Sequence, residues 1–289
     1  MQEKDQENLK IIYSLEEILE KGYKIKTSIP KERKCPYCNK ILKPKGILNP
    51  IDQSIHIFLQ NEKCNCSKAI EEQNKLEEEK EKQLLEDFEK VRREELNKRV
   101  MQYYGTEFIT KQFENQTLEN FIINKTNQNM KYVAERFIKG FRNTKTGIIF
   151  VGKNGTGKTH ISIAIANELR KQNIPIIFGT LTELLEKYSK SYKNNTDIEL
   201  TRLYTKVDLL IIDDLGTEAM NNIKFTELFN IINTRLLNQN KTTKTIISTN
   251  LSLQNLFSNY DERIVSRIVG NYNICYFFGD DIRFKKKKK

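Results

Sequence analysis

The run Gly152-Lys153-Asn154-Gly155-Thr156-Gly157-Lys158-Thr159 fits the pattern G-x-x-x-x-G-K-[ST]. Its glycines let the backbone curl until several N–H groups point inward at a phosphate. Lys158 then reaches the β- and γ-phosphates, and the Thr159 hydroxyl ligates Mg²⁺. Gly152, Asn154, Gly155, Thr156, Gly157, Lys158, Thr159 and His160 are therefore the candidate nucleotide contacts. A second chemical element follows at Val207 to Gly216 (VDLLIIDDLG), an apolar run ending in two carboxylates. Asp213 is placed to hold Mg²⁺ through its water shell, and Asp214 to polarise an attacking water as a general base. The alternative for this pair is an N-cap opening the next helix; coming after the glycine loop, the catalytic reading carries more weight.

Two weaker signals lie further on. Thr242 to Thr249 (TTKTIIST) ends at Asn250, whose amide either orients the lytic water or makes an ordinary turn. Asp261 to Gly270 (DERIVSRIVG) carries Arg263 and Arg267 four residues apart on one helical face. Such arginines can act as fingers that neutralise charge on a neighbouring site, or pair with Asp261 and Glu262 at the surface. Arg283 is a further candidate phosphate contact.

A different chemistry is written near the N-terminus. Cys35-Pro36-Tyr37-Cys38 and Cys64-Asn65-Cys66 hold four of the five cysteines. Two close thiolate pairs, brought together by intervening β-structure, complete a tetrahedron around Zn²⁺. Ile41 to Leu48 and Ser54 to Leu59 supply the expected short strands. A redox C-x-x-C would need a thioredoxin-like setting, which is lacking. His56 could replace one cysteine, but the alternation in SIHIFL reads as an ordinary strand.

These groups need elements to hold them. Gly147 to Val151 reads as a buried strand feeding the glycine loop, and His160 to Lys171 as the helix it opens, with Ile161, Ala164, Ile165 and Leu169 inward. Strand, glycine loop and helix in that order put the helix N-terminus under the phosphates. Asn129 to Phe141 reads as an amphipathic helix, Pro175 to Gly179 as a strand, Leu181 to Tyr192 and Ile198 to Lys206 as helices. The continuous apolar run before Asp213 is what a central parallel strand requires. Residues 67–102 lack Pro and Gly and are rich in Glu, Lys, Leu, Gln and Arg, which favours helix. Leu84, Phe88, Val91, Leu96 and Val100 form only a narrow apolar stripe, so this is a solvated spacer or a partner-binding coiled coil. The organisation expected is a zinc-binding module over 1–66, a charged helical linker over 67–104, an ATPase domain over 105–284 and a basic tail over 285–289.

Composition bounds the partners. The 289 residues carry 49 Lys and Arg against 38 Asp and Glu, a formal charge of +11 that favours polyanions or is simply spread over a Lys-rich surface. No apolar run is long enough to span a bilayer and the first ten residues are too polar for a secretory signal, so the expectation is a cytoplasmic protein without a membrane partner.

Taken as an ordered set, GKNGTGKTH, LLIIDDLG, IISTN, ERIVSRIVG and Arg283 resemble the DnaC/DnaI-type replicative helicase loaders, AAA+ ATPases related to DnaA and to the IstB transposition helpers. The resemblance covers roughly residues 105–284. It implies an α/β P-loop AAA+ fold, a parallel sheet flanked by helices, with a small zinc-ribbon-like module and helical linker before it. It also implies ATP and Mg²⁺ at 152–159 and at Asp213 and Asp214, sensor 1 at Asn250, a finger at Arg267 acting in trans within a homo-oligomer, and sensor 2 at Arg283. Arg263 is the rival finger. The function implied is ATP hydrolysis, stimulated by DNA, that loads a hexameric replicative helicase onto single-stranded DNA. The alternatives are an IstB-like transposition helper and a nucleotide-gated adaptor with little hydrolysis. The Walker B ending Asp-Asp departs from the Asp-Glu of many AAA+ ATPases and bears on the hydrolysis rate.

Overall fold

The computed structural model describes residues 12–49, 52, 54–59, 63–105, 115–123, 127–144, 146–216, 221–237, 243–279 and 281–282. Arg283 and the tail at 285–289 lie outside the described residues, as does the His56 side chain. The chain forms two compact units, Met1–Phe88 and Glu89–Lys289.

In the first unit, β1 (Ile12–Ser14), β2 (Lys24–Ile25), β5 (Lys45–Asn49) and β6 (Ser54–Leu59) form a sheet in the order β1-β5-β6-β2. β1 ends at Ser14, whose hydroxyl caps α1 (Leu15–Glu20) in a reciprocal capping box with Glu17. A second, two-stranded sheet pairs β3 (Arg33–Lys34) with β4 (Ile41–Leu42). The expected single hairpin between the cysteine pairs is thus corrected. The Ile41–Leu48 run breaks after Leu42: β4 turns back on β3, while β5 and β6 build the larger sheet with strands from the first 25 residues. Among the described residues of this unit, Tyr13, Ile18, Leu48 and Ile55 form one buried apolar cluster.

The second unit is built on five parallel strands, β7 (Ile148–Gly152), β8 (Ile176–Thr180), β9 (Leu209–Leu215), β10 (Lys244–Thr249) and β11 (Asn273–Phe277), in the order β11-β7-β10-β9-β8. Alternate residues feed opposite cores. Ile149, Val151, Leu210, Ile212 and Ile247 enter one cluster, and Ile148, Phe150, Leu209, Ile211 and Ile246 the other. Burial on both faces is why these strands read as unbroken apolar runs. The helices, numbered on from α2 (Ser67–Tyr104), are α3 (Gln128–Gly140), α4 (Lys158–Lys171), α5 (Leu181–Lys193), α6 (Asp197–Lys206), α7 (Asn222–Leu237), α8 (Leu253–Asn259) and α9 (Glu262–Asn271). α7, α8 and the half-exposed edge strand β11 have no counterpart among the elements expected from sequence.

From Glu89 onward α2 is not a solvated spacer. Leu96 and Val100 are buried in the second unit's core, and the Tyr104 hydroxyl donates to that of Tyr204 at 2.7 Å. Arg92 and Arg93 donate to opposite oxygens of the fully buried Asp208 carboxylate, at 2.7 and 3.0 Å. The apolar stripe looks too narrow for docking because two arginines do part of the work. Breaking a buried ion pair leaves an unmatched charge, so Asp208→Asn is expected to cost roughly 2–3 kcal/mol. Thermal unfolding of the variant would show it as a fall of roughly 5–10 °C; an unchanged midpoint would mean that the arginines are no clamp.

Candidate functional site

β7 ends at Gly152, and the chain turns through the glycine loop into α4, whose N-cap Gly157 has φ 101°. A Cβ on Gly157 would lie 2.8 Å from the Phe121 ring, so this position admits no side chain. The buried Thr156 hydroxyl donates to the Lys153 carbonyl at 2.8 Å and closes the loop on itself. The Lys158 ammonium lies inside the loop, donating to the carbonyls of Gly152 at 2.7 Å and Lys153 at 3.0 Å.

Two further strands, β9 and β10, deliver the rest. β9 places Asp213 so that the Thr159 hydroxyl donates to its carboxylate at 2.8 Å and the Ser248 hydroxyl of β10 donates to its other oxygen. Burial pushes the Asp213 carboxyl above its ordinary value, opposed by the Ser248 and Thr159 donors. Asp214 stands next to it with φ 52°, a left-handed conformation that Asp tolerates better than most residues. Asn250, just past β10, donates through Nδ2 to Asn154 Oδ1 at 3.2 Å, while its buried Oδ1 has no hydrogen-bond partner.

Most of the expected groups line one cavity of about 440 Å³, within the range of small-ligand sites, while Gly152, Thr156 and Asp213 lie outside its lining. Asn154, Gly155, Gly157, Lys158, Thr159, His160, Asp214 and Asn250 are brought together there. It opens at the C-terminal ends of the parallel strands, where ligands of such sheets bind. Gln116, Phe121, Ile122 and Ile282 complete the lining and were not expected. Residues 116–122 are pinned to α4: His160 Nε2 lies 2.9 Å from the Thr117 carbonyl, and Asn167 donates to the Gln116 carbonyl at 3.0 Å. The Phe121 and His160 rings are 5.5 Å apart. The one sequence signal for this segment was the apolar run Phe121-Ile122-Ile123, with Leu118 just before it.

The arginines of α9 do not line this cavity. Arg267 is half-buried, donates to Asn233 Oδ1 at 2.9 Å and stacks 4.7 Å above the Phe229 ring. Arg263 is exposed and makes two hydrogen bonds to Asp261, at 2.9 and 2.6 Å. Both are engaged by residues of their own chain rather than by this site.

In the first unit, Cys35 and Cys38 occupy the turn between β3 and β4, and Cys64 and Cys66 immediately precede α2. All four sulfurs lie within 4.8 Å of one another, with Cys35–Cys66 at 3.8 Å and Cys38–Cys64 at 3.4 Å. A Zn–S bond of about 2.3 Å gives a tetrahedron with edges of about 3.8 Å, so this donor set fits zinc. Amide N–H groups of Tyr37 and Cys38 hold the Cys35 thiol down to about 7, toward the thiolate a metal needs.

The sequence profile of the IstB-like ATP binding proteins matches residues 62–289. The chain belongs to the IstB-like ATP-binding protein family. This family member is also similar to the replicative helicase loader DnaC of Escherichia coli (strain K12), at 25% identity over 174 residues, 59% of this chain and 70% of DnaC. A solved DnaI shares 25% identity and a TM-score of 0.51 over 58% of this chain and 94% of that one. A solved replication initiator DnaA bound to AMPPCP and single-stranded DNA shares 28% identity and a TM-score of 0.53, covering 60% of this chain and 54% of that one. The chain spans only 41% of the DnaA of Aquifex aeolicus (strain VF5), to which it is 28% identical. The parallel five-stranded sheet flanked by helices is the AAA+ fold of these proteins, and this family member is an ATP-binding protein of that fold. Among the described residues no helix is long and apolar enough to cross a membrane.

Proposed function

We propose that this IstB-like protein is a DNA-stimulated ATPase that loads a hexameric replicative helicase onto single-stranded DNA. The observation that carries the reading is the convergence of Lys158, Thr159, Asp214 and Asn250 on one cavity, with Asp213 tied to Thr159 beneath it. Gln116, Phe121, Ile122 and His160 would receive the base of ATP. Lys158 would leave its two loop carbonyls for the β- and γ-phosphates. Thr159 and Asp213 would hold Mg²⁺, which when bound neutralises charge on the phosphate oxygens. Asp214 would accept the proton of the attacking water, and Asn250 would orient that water through its unpartnered Oδ1.

The zinc-bearing residues 1–66 would engage the helicase, the part of α2 before Glu89 would connect them to the ATPase unit, and the tail at 285–289 would touch phosphates non-specifically. In a homo-oligomer, Arg267 or its rival Arg263 would complete the neighbour's site, with Arg283 as sensor 2. DNA binding finds support in the charge of +11 and in the single-stranded DNA of the similar DnaA structure. Such work is cytoplasmic.

A second reading, a transposition helper, is favoured by one observation, the match to the IstB-like profile over residues 62–289; the cysteine-bearing module before it, with Cys35 and Cys38 outside that match, weighs against it. Two assays separate the readings. Turnover of ATP is expected to rise severalfold with single-stranded DNA, and the protein is expected to retain a replicative helicase in a pull-down that Cys38→Ser weakens. Stimulation without helicase retention would favour the transposition helper. Tight ATP binding with no turnover would favour a nucleotide-gated adaptor.

A further inference from the structure

Consecutive residues of a regular strand point to opposite faces. Asp213 and Asp214 are consecutive in β9, yet both serve one site: Asp213 is bound by Thr159 and Asp214 lines the cavity. The pairing with β10 explains how. Ile212 pairs with Ile247 and Leu215 with Thr249, so Asp213 and Asp214 together stand opposite the single residue Ser248. This is a β-bulge, an uncommon device between parallel strands and one that re-aims side chains. The left-handed φ of 52° at Asp214 is its local signature.

We infer that Ser248 is a positioning residue for ATP hydrolysis, its hydroxyl holding the bulge that turns both carboxylates toward the nucleotide. Ser248 is fully buried. Its Oγ accepts the Asp214 backbone N–H at 3.0 Å and donates to Asp213 Oδ1, so one hydroxyl spans both members of the pair. Within the bulge a side chain supplies an acceptor for the Asp214 N–H. The next side chain continues the arrangement, the Thr249 hydroxyl donating to the Leu215 carbonyl at 2.6 Å. Ser248 does not line the cavity and would not touch ATP; it acts through Asp213 and Asp214. The inference rests on the proposed ATPase reading.

The test uses the full chain as wild type, Ser248→Ala and Ser248→Thr, each checked for its thermal midpoint. Two quantities are read: steady-state turnover with the dissociation constant of a fluorescent ATP analogue, and hydrogen exchange at the Asp214 amide. Ser248→Ala is expected to lower kcat about ten- to hundredfold while ATP affinity stays within about threefold, the mark of misplaced catalytic groups rather than lost binding. Exchange at Asp214 is expected to quicken about tenfold as its acceptor is lost. Ser248→Thr, which keeps the hydroxyl, is expected to lie nearer the wild type in both. A folded Ser248→Ala with wild-type kcat overturns the inference, as does equal loss in the Ala and Thr variants. Should the wild type bind ATP without turnover, the hydrolysis reading fails; the exchange comparison then still decides whether Ser248 holds the bulge, and unchanged exchange in Ser248→Ala overturns it.

Discussion

Lys158→Ala is expected to abolish practical ATP turnover, lowering kcat by roughly 10²–10³-fold as one preorganised donor to the developing phosphate charge is removed. The argument starts from where the ammonium lies. Lys158 is only 4% exposed, and its hydrogen bonds to the Gly152 and Lys153 carbonyls keep it within the loop that would surround the phosphates. Little reorganisation is then needed when phosphate oxygens replace those carbonyls, which is the condition under which a charged donor counts most. Alanine leaves the two carbonyls near the position of the phosphates with no cation between them, so ATP binding is expected to weaken as well. The measurement is phosphate release with and without single-stranded DNA, beside a thermal midpoint that shows the variant folded. A folded Lys158→Ala with wild-type turnover would place the chemistry elsewhere.

Loss of zinc is expected to unfold the first unit. Among its described residues the buried apolar cluster rests on Tyr13, Ile18, Leu48 and Ile55, few for two sheets and a short helix. Around Cys35, Leu42 and Cys64 the buried side chains are mostly the candidate ligands themselves. Units this small rely on a metal or on disulfides. Structural zinc sites contribute apparent binding free energies of about 10–16 kcal/mol at neutral pH, and that energy is folding energy. One equivalent of zinc should be found in the purified protein. Its removal by a strong chelator, or Cys64→Ser, should abolish hydrogen-exchange protection across residues 33–49. ATP binding by the second unit is expected to persist. Protein purified under reducing conditions without zinc, yet with these residues protected, would sink the assignment.

The chemistry of the second unit was legible in the sequence because its motifs join local spacing to strong patterning. Gly152 to Thr159 must bind phosphate through adjacent backbone groups, so eight consecutive residues state the site. β7, β8, β9 and β10 showed as apolar runs because both their faces are buried. Residues 116–122 were not legible, since their place over α4 depends on His160 and Asn167 reaching back to backbone carbonyls distant in the chain. The C-terminal half of α2 was misread for a related reason. Its docking runs through Arg92, Arg93 and Asp208, and charged residues on a helix look the same in sequence whether solvated or clamped. β11 escaped notice as an edge strand with mixed burial, from Asn273 to Phe277. The four cysteines were found by spacing alone, but which strands bring them together was not.

The sequence by itself determined the glycine loop, the carboxylate pair after a buried strand and the two close cysteine pairs, because each is a short-range pattern of residue types. Tertiary structure decided how those patterns become a site. Asp213 and Asp214, adjacent in the chain, would diverge in a plain strand. They converge because β10 sets one residue, Ser248, against two of β9. Register between strands depends on packing and hydrogen bonds between segments far apart in the chain. A single strand's sequence does not contain it.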